Sequence, residues 1–212
     1  MLDVGPGDDV LVADLTFVAS VNPIVYVGAR PILVDAEPTT YDVDPAVVVA
    51  ELDRRATAGV RQPAAIEIVH LVGHPADIEP VLVAAERYGV PVVEDASEAL
   101  GGTYTKGAFA GRQVGTLGRI AAFSFNGNKL ITTGGGGAIL TNDPELGRAA
   151  KHLTTTARVA HRWSFIHDEV GFNYRLPNIN AALGCAQLER VPAFLALKRK
   201  LAQRYVDAFR GL

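Results

Sequence analysis

Short apolar runs rich in β-branched residues alternate along the chain with stretches of helical pattern. Such alternation is typical of βα units, which form a mainly parallel sheet covered by helices on both faces. The predicted strands are Val10–Ala13, Pro31–Val34, Ala64–Val69, Pro91–Glu94, Ile120–Ser124 and Ala138–Thr141. The pattern therefore predicts an α/β fold with three layers, α/β/α, around a mainly parallel sheet.

The stretches between and after these runs predict helices with recognisable ends. The predicted helices are about Phe17–Val27, Pro45–Arg55, Ile78–Tyr88, Pro144–Leu153, Asn178–Leu188 and Phe194–Phe209. Asp44 and Asp77 are the expected caps of the second and third helices, because their side chains can accept hydrogen bonds from free N–H groups of the first turn. Gly28 and Gly89 are the expected ends of the first and third helices.

Composition narrows the class of protein. Of the 212 residues, 49% are hydrophobic and 20% are charged, which allows a sizeable core and excludes intrinsic disorder. The net charge of −3 lacks the basic excess of a nucleic-acid-binding protein. The single cysteine, Cys185, excludes an internal disulfide, and its apolar helix predicts a core position. Without a run of about 20 apolar residues or a signal peptide, the protein is expected in the cytoplasm and away from membranes.

Two predicted strands end in residues that can carry chemistry, and ligands of parallel sheets bind beyond such strand ends. The first strand end bears Asp95, with Glu98 three positions later. This spacing fits either a helix capping box or a pair of site carboxylates. Two carboxylates could also serve a glycosidase, whose identification depends on the distance between the two groups. Glu94 points to the opposite face by strand alternation, so we expect it to be structural.

The second strand end leads through a polar turn to Lys129, and the glycine run Gly134–Gly137 follows. A lysine in this position commonly reaches solvent, but in a dry pocket its amine could act as a Schiff-base nucleophile. The sequence around Lys129 does not match a phosphate-loop pattern, so it does not indicate a nucleotide-binding lysine. We expect no metal site, because Gly73 and Pro75 break any helix that would place His70 and His74 on one face.

Four motifs, in this order, resemble those of the DegT/DnrJ-type sugar aminotransferases, which are pyridoxal-phosphate enzymes of fold type I. They are Thr16–Ala19, Glu94–Ala99, Phe123–Lys129 and Gly171–Leu176. Three further stretches are similar to the subgroup that serves the legionaminic-acid and bacillosamine pathways. These stretches are Lys129–Gly137, His152–Thr155 and His167–Gly171.

The resemblance implies roles around the cofactor ring. Lys129 would bind the cofactor aldehyde and then move a proton as general base and acid. Asp95 would pair with the pyridine nitrogen, and Glu98 would reach the ring hydroxyl. Phe17 would stack on the ring face.

The resemblance also implies contacts farther from the ring. Ser124 would bind the cofactor phosphate, and Asn173 would do so from a second subunit of a homodimer with shared active sites. His167 and Arg175 would lie near the nucleotide sugar.

The implied activity is transfer of an amino group, with glutamate as the usual donor, to a nucleotide-linked 4-keto-6-deoxy sugar. A sugar dehydratase of the same family would have histidine in place of Lys129. Members of the family also carry a preceding phosphate-binding turn and a small C-terminal domain. We therefore expect residues 1–190 to form a cofactor-binding domain without its N-terminal segment, and residues 191–212 a helix leading to an absent small domain. The alternative is a truncated, non-catalytic member that keeps the scaffold but holds pyridoxal phosphate weakly or not at all.

Overall fold

The structure, a computed structural model, describes residues 1–211. Leu212, the last residue of the expected C-terminal segment, lies outside the described residues. Within residues 1–211 the central sheet has six strands in the order β2-β1-β3-β4-β5-β6, parallel except for the antiparallel pair β5–β6. These strands are β1 (Asp9–Ala13), β2 (Arg30–Val34), β3 (Ala65–Val69), β4 (Val92–Asp95), β5 (Ile120–Ser124) and β6 (Gly137–Leu140). The predicted mainly parallel sheet is confirmed.

The α-helices, one 3₁₀ turn (Leu71–Gly73) and a small hairpin account for the remaining regular structure of the described chain. The α-helices are α1 (Val18–Tyr26), α2 (Pro45–Ala58), α3 (Glu79–Tyr88), α4 (Pro144–Thr154), α5 (Asn178–Leu188) and α6 (Val191–Ala208). The hairpin pairs β7 (Arg158–Val159) with β8 (Ile166–His167), in a segment for which no regular structure was predicted.

The two faces of the sheet are covered unequally. On one face, inward residues such as Leu11 and Ile66 pack with Val48 of α2 and Val81 of α3 in the main core. On the other face, a smaller cluster joins β1 and β3 to Ile24 of α1. Because α1 contacts β1 and β2, the part of this face on β4 and β5 is left for the site.

The helix ends show which predicted caps form. Asp44 accepts a hydrogen bond from Ala46 N at 2.8 Å, as predicted. The prediction that Asp77 caps α3 is wrong, because α3 begins at Glu79 with Ile78 in the cap position and no side-chain cap bond. Pro80, the second residue of α3, has no N–H group to which a capping side chain could bond. Gly89 ends α3 in the left-handed conformation with φ +66°, as predicted.

The last two helices differ from prediction in detail. Cys185 is exposed on α5, so the predicted core position is wrong. The α5 residue that becomes buried is the adjacent Gly184, which lies against Thr133, so this helix turns Cys185 toward solvent. The final helix begins at Val191 rather than Phe194, because Pro192 fits a first helical turn. No helix within residues 1–211 combines the length and apolar character needed to cross a membrane.

Candidate functional site

Asp95 ends β4 and is held from two sides. Ser20 on α1 donates a hydrogen bond from Oγ to Asp95 Oδ2 at 2.7 Å, and Ser97 N donates to Oδ1 at 3.0 Å. Thr16 Oγ1 lies 2.8 Å from Ser20 Oγ and extends this chain of hydroxyl groups. Residues 96–101 form turns rather than an α-helix, so the capping-box interpretation of Asp95 and Glu98 is wrong. The carboxylate is therefore fixed in orientation at the open edge of the sheet.

Lys129 lies on the same edge and does not extend freely into solvent. Its Nζ donates to Glu98 Oε1 at 2.9 Å, and only 16% of the lysine side chain is exposed. Glu98 Oε2 accepts from Val72 N at 2.9 Å. Val72 has φ +54°, a conformation that β-branched residues rarely adopt, and such strain clusters at functional sites. The backbone and the lysine thus hold Glu98 from opposite sides.

The segment that follows Lys129 is held by α5. Gln187 Oε1 accepts from Thr132 N at 3.0 Å, while Gln187 Nε2 donates to Thr132 O at 2.6 Å. Asn180 donates to Thr133 O one residue later. The motifs gave no sign of this contact, because the partners lie 55 residues apart in the chain.

Glu94 is buried on the face of β4 opposite the site, and it stabilises the site without being part of it. It accepts hydrogen bonds from Gly115, Leu117 and Gly118 N–H groups and from His70. Burial by itself raises the pKa of Glu94, but the His70 and backbone hydrogen bonds together lower it below its usual value. The predicted structural role of Glu94 is confirmed by its position on the face opposite the site.

His70 is committed to the same buried network. Its Nδ1 accepts a hydrogen bond from Ala76 N at 3.1 Å, so Nε2 carries the proton that is donated to Glu94 at 3.0 Å. His74 lies instead beside Asp42, with 2.7 Å between Nδ1 and Oδ2. The two histidines therefore do not share a ligand site.

Glu67 is a site-face carboxyl for which the sequence suggested no role. Strand register pairs Glu67 with Val93 and Val69 with Asp95, which places both acids on the same face of neighbouring strands. Burial, and then the charge of Asp95, raise the pKa of Glu67 to about 8. A second carboxyl of unusual protonation thus lies beside Asp95.

Phe17 and Ser124 mark the rim of this face. Phe17 immediately precedes α1 and is 76% exposed. Ser124 ends β5, two residues beyond Ala122, which pairs in register with Asp95 and is itself exposed. Strand alternation puts Ser124 and Ala122 on the same face as Asp95. The surface between the strand ends is therefore open enough to accept a flat molecule.

The three remaining predicted residues lie around the β7–β8 hairpin. His167 Nδ1 is 2.7 Å from Thr156 O, and Arg175 donates to Thr155 O at 3.4 Å. Asn173 forms a β-bridge with Thr155. Within residues 1–211, no hydrogen bond or ion pair joins His167, Asn173 or Arg175 to Lys129 or Asp95. Arg175 nevertheless lines a cavity together with Ala122 and the Gly134–Gly137 run, on the face that bears Asp95.

The hairpin forms a strongly basic cavity of about 550 Å³. Its charged lining residues are Arg158, Arg162 and Arg175, and His161 lies among them. Two of these guanidinium groups lie over aromatic rings, that of Arg158 at 4.2 Å from the Phe165 centroid and that of Arg162 at 4.8 Å from the Trp163 centroid. Such stacking holds the arginines in place and leaves their N–H groups available to an anion.

A cluster of three side chains near the hairpin consists of residue types that can bind a metal ion. His152, Asp168 and Glu169 place their ligand atoms within 4.8 Å of one another near the hairpin. His152 Nε2 is already 2.7 Å from Asp168 Oδ1, and both acids are exposed. This arrangement is that of a hydrogen-bonded cluster at the surface.

The residues on the open face fit pyridoxal phosphate by their chemistry. A lysine amine can react with its aldehyde, and a fixed carboxylate can pair with its ring nitrogen. Lys129 and Asp95 supply these two groups, and the exposed Ala122 leaves room beside Asp95 for a ring. The site thus offers the functional groups that this cofactor requires.

Comparisons with known proteins agree with this chemistry. Residues 1–212 match the DegT/DnrJ/EryC1/StrS aminotransferase family. The chain is 44% identical over 206 residues to the GDP-perosamine synthase of Caulobacter vibrioides, covering 96% of this chain and 52% of that protein. It is 36% identical over 205 residues to the UDP-2-acetamido-2-deoxy-3-oxo-D-glucuronate aminotransferase of Pseudomonas aeruginosa, covering 96% and 53%. The chain thus spans about half the length of these relatives.

A solved structure shows the same fold. The DegT DnrJ EryC1 StrS aminotransferase of Brucella abortus superposes with a TM-score of 0.87 at 29% identity, over 98% of this chain and 54% of that one. The predicted similarity to fold type I aminotransferases is confirmed.

Proposed function

Because the chain belongs to the DegT/DnrJ/EryC1/StrS aminotransferase family, we propose that it carries the cofactor site of a pyridoxal-phosphate-dependent nucleotide-sugar aminotransferase. The observation that carries the proposal is the position of Lys129, whose Nζ lies 2.9 Å from Glu98 on the sheet edge that bears Asp95. Residues 1–190 would form the cofactor-binding domain, and residues 191–212 a helix leading out of it.

When bound, pyridoxal phosphate supplies an aldehyde that reacts with amines and a ring that withdraws electrons from the neighbouring carbon. Asp95 would hold the proton on the ring nitrogen, and Ser20 keeps this carboxylate in place. Lys129 would move a proton to and from the substrate carbon, a function that typically contributes about 10²–10⁴ in rate. Glu98 positions the lysine amine and would contact the ring hydroxyl.

The remaining contacts would orient the cofactor. Phe17 would stack on the ring, since its side chain is exposed at the start of α1. Ser124 would bind the phosphate, and Asn173 would complete this contact from the other subunit of a homodimer.

We propose a nucleotide-linked 4-keto-6-deoxy sugar as acceptor and glutamate as donor. The names of both relatives contain a nucleotide, GDP in one and UDP in the other, which supports a nucleotide-linked sugar. The basic cavity suits a diphosphate, since its arginines can bind phosphate oxygens in a bidentate manner. Arg175 lines this cavity, and His167 belongs to its hairpin, so both would lie near the substrate.

Borohydride trapping tests the cofactor site directly. The chain is mixed with pyridoxal phosphate, reduced, digested and mapped by mass spectrometry, alongside Lys129→Ala and a surface control, Lys151→Ala. We expect an adduct on Lys129 in the parent and in the control but not in Lys129→Ala. Asp95→Asn should keep the fold, measured by circular dichroism, but require at least tenfold more cofactor for the same labelling, because the ring nitrogen loses its anionic partner. Labelling that is absent from Lys129, or no stronger there than on other lysines, would overturn the proposal and favour the non-catalytic alternative.

A further inference from the structure

Two glutamates occupy the middle strands of the sheet, and their surroundings differ. Glu94 on β4 is enclosed by hydrogen-bond donors. The side chain of Glu67 on β3 forms no hydrogen bond or ion pair with any residue from 1 to 211. It is nevertheless partly buried, and burying a carboxyl group without a partner costs free energy. The Glu67 carboxyl oxygens keep some contact with solvent, so a molecule bound on this face can change their surroundings.

The groups around Glu67 leave Asp95 as the charge that acts on it. Its register neighbours are Val12 on β1 and Val93 on β4, both apolar. The helix packed on this face, α1, buries Ser20 and Ile24, neither of which is charged. The raised pKa of Glu67 follows from burial and from the negative charge of Asp95. At neutral pH Glu67 therefore keeps its proton.

Resting on the function proposed above, we propose that Glu67 is a positioning residue for Asp95 that releases its proton to solvent when a cationic ring binds against Asp95. A positive charge beside two carboxyl groups favours the ionised form of both. Glu67 would then strengthen the negative field around the ring nitrogen. While the ring is absent, its neutral form avoids the repulsion of two adjacent carboxylates.

Proton release on binding distinguishes this role from a merely structural one. The probe is 4-deoxypyridoxine 5'-phosphate, which has the ring and the phosphate of the cofactor but no aldehyde to react with Lys129. Binding is measured by calorimetry at pH 7 in two buffers with different ionisation heats, so that the number of protons released can be calculated. The proteins compared are the parent, Glu67→Gln and the control Glu86→Gln, which alters an exposed glutamate on α3.

We expect the parent and the control to release up to one proton more than Glu67→Gln, because the bound ring offsets the charge of Asp95 but not the burial of Glu67. The Glu67→Gln variant should also bind the probe several-fold more weakly at pH 8, where the parent can supply a second negative charge. Equal proton release by the parent and Glu67→Gln, with binding intact, would overturn the role of Glu67 alone. Absence of probe binding in all three proteins would overturn the proposed cofactor site and, with it, this inference.

Discussion

At the scale of single residues, the face of a strand decides what a carboxyl group does. Glu94 and Asp95 are adjacent in the chain but point to opposite faces of β4. Glu94 is buried among hydrogen-bond donors, whereas Asp95 meets Ser20 at the open edge. Alternation was enough to predict this division. It could not reveal Glu67 as a neighbour of Asp95, because that contact depends on which strands lie side by side.

The raised pKa of Glu67 predicts a pH-dependent stability. Between about pH 4.5 and 8, the folded state keeps a proton that the unfolded chain has lost, so stability falls as pH rises through this interval. The slope should approach about 1.4 kcal/mol per pH unit. Glu67→Gln removes this loss of stability. The melting temperature of Glu67→Gln, measured relative to that of the parent, should therefore rise from pH 5 to 8, and the difference should stay constant above pH 8. Glu86→Gln is the control. A constant difference between Glu67→Gln and the parent across this interval would contradict the assignment.

At the scale of elements, the helical pattern of α5 predicted its existence but not which of its sides faces the sheet. Cys185 was placed in the core because it lies in an apolar stretch, and it is exposed. Two polar residues of α5, Asn180 and Gln187, donate to or accept from backbone groups of Thr132 and Thr133, after Lys129. Apolar periodicity does not identify such residues, because it assigns the polar side of a helix to solvent.

Removal of the hydrogen bonds between Gln187 and Thr132 should destabilise the segment that follows Lys129. In Gln187→Ala, Thr132 N–H and C=O lose their partners, which should lower the free energy of unfolding by about 1–3 kcal/mol. Labelling of Lys129 by pyridoxal phosphate should weaken as well. Gln203→Ala is the matched control, because this glutamine is exposed on α6 and contacts only Asp207 within the described chain. Urea denaturation and borohydride labelling provide the two measurements, and equal behaviour of both variants would rule out the contact as a support for Lys129.

At the scale of the whole molecule, α5 and α6 leave an apolar surface uncovered. Its members are exposed leucines and aromatic residues: Leu183, Leu188, Leu197, Leu201, Tyr205 and Phe209. Contiguous apolar surface of this kind marks interaction sites. The surface therefore supports the proposed homodimer.

Self-association should therefore depend on this surface. We expect sedimentation velocity to show a dimer at micromolar concentration and Leu197→Glu to shift the population toward monomer at least tenfold, because a charge would be buried in the interface. Val60→Glu, at an exposed valine after α2, should leave the dimer intact. A monomeric parent chain, or a Leu197→Glu variant that dimerises as well as the parent, would contradict the prediction.

The fold and the motif residues could be inferred from the chain because their signals are local. Alternation and periodicity depend on which side of each segment is buried, and the strands from Asp9 to Leu140 follow those patterns closely. The partners of the site residues depend on contacts between distant segments. The hydrogen bond from Lys129 to Glu98 spans 31 residues, and the proximity of Glu67 to Asp95 follows from the pairing of β3 with β4. Burial and charge proximity are properties of the packed sheet, so only the tertiary structure could assign these residues their protonation and their partners.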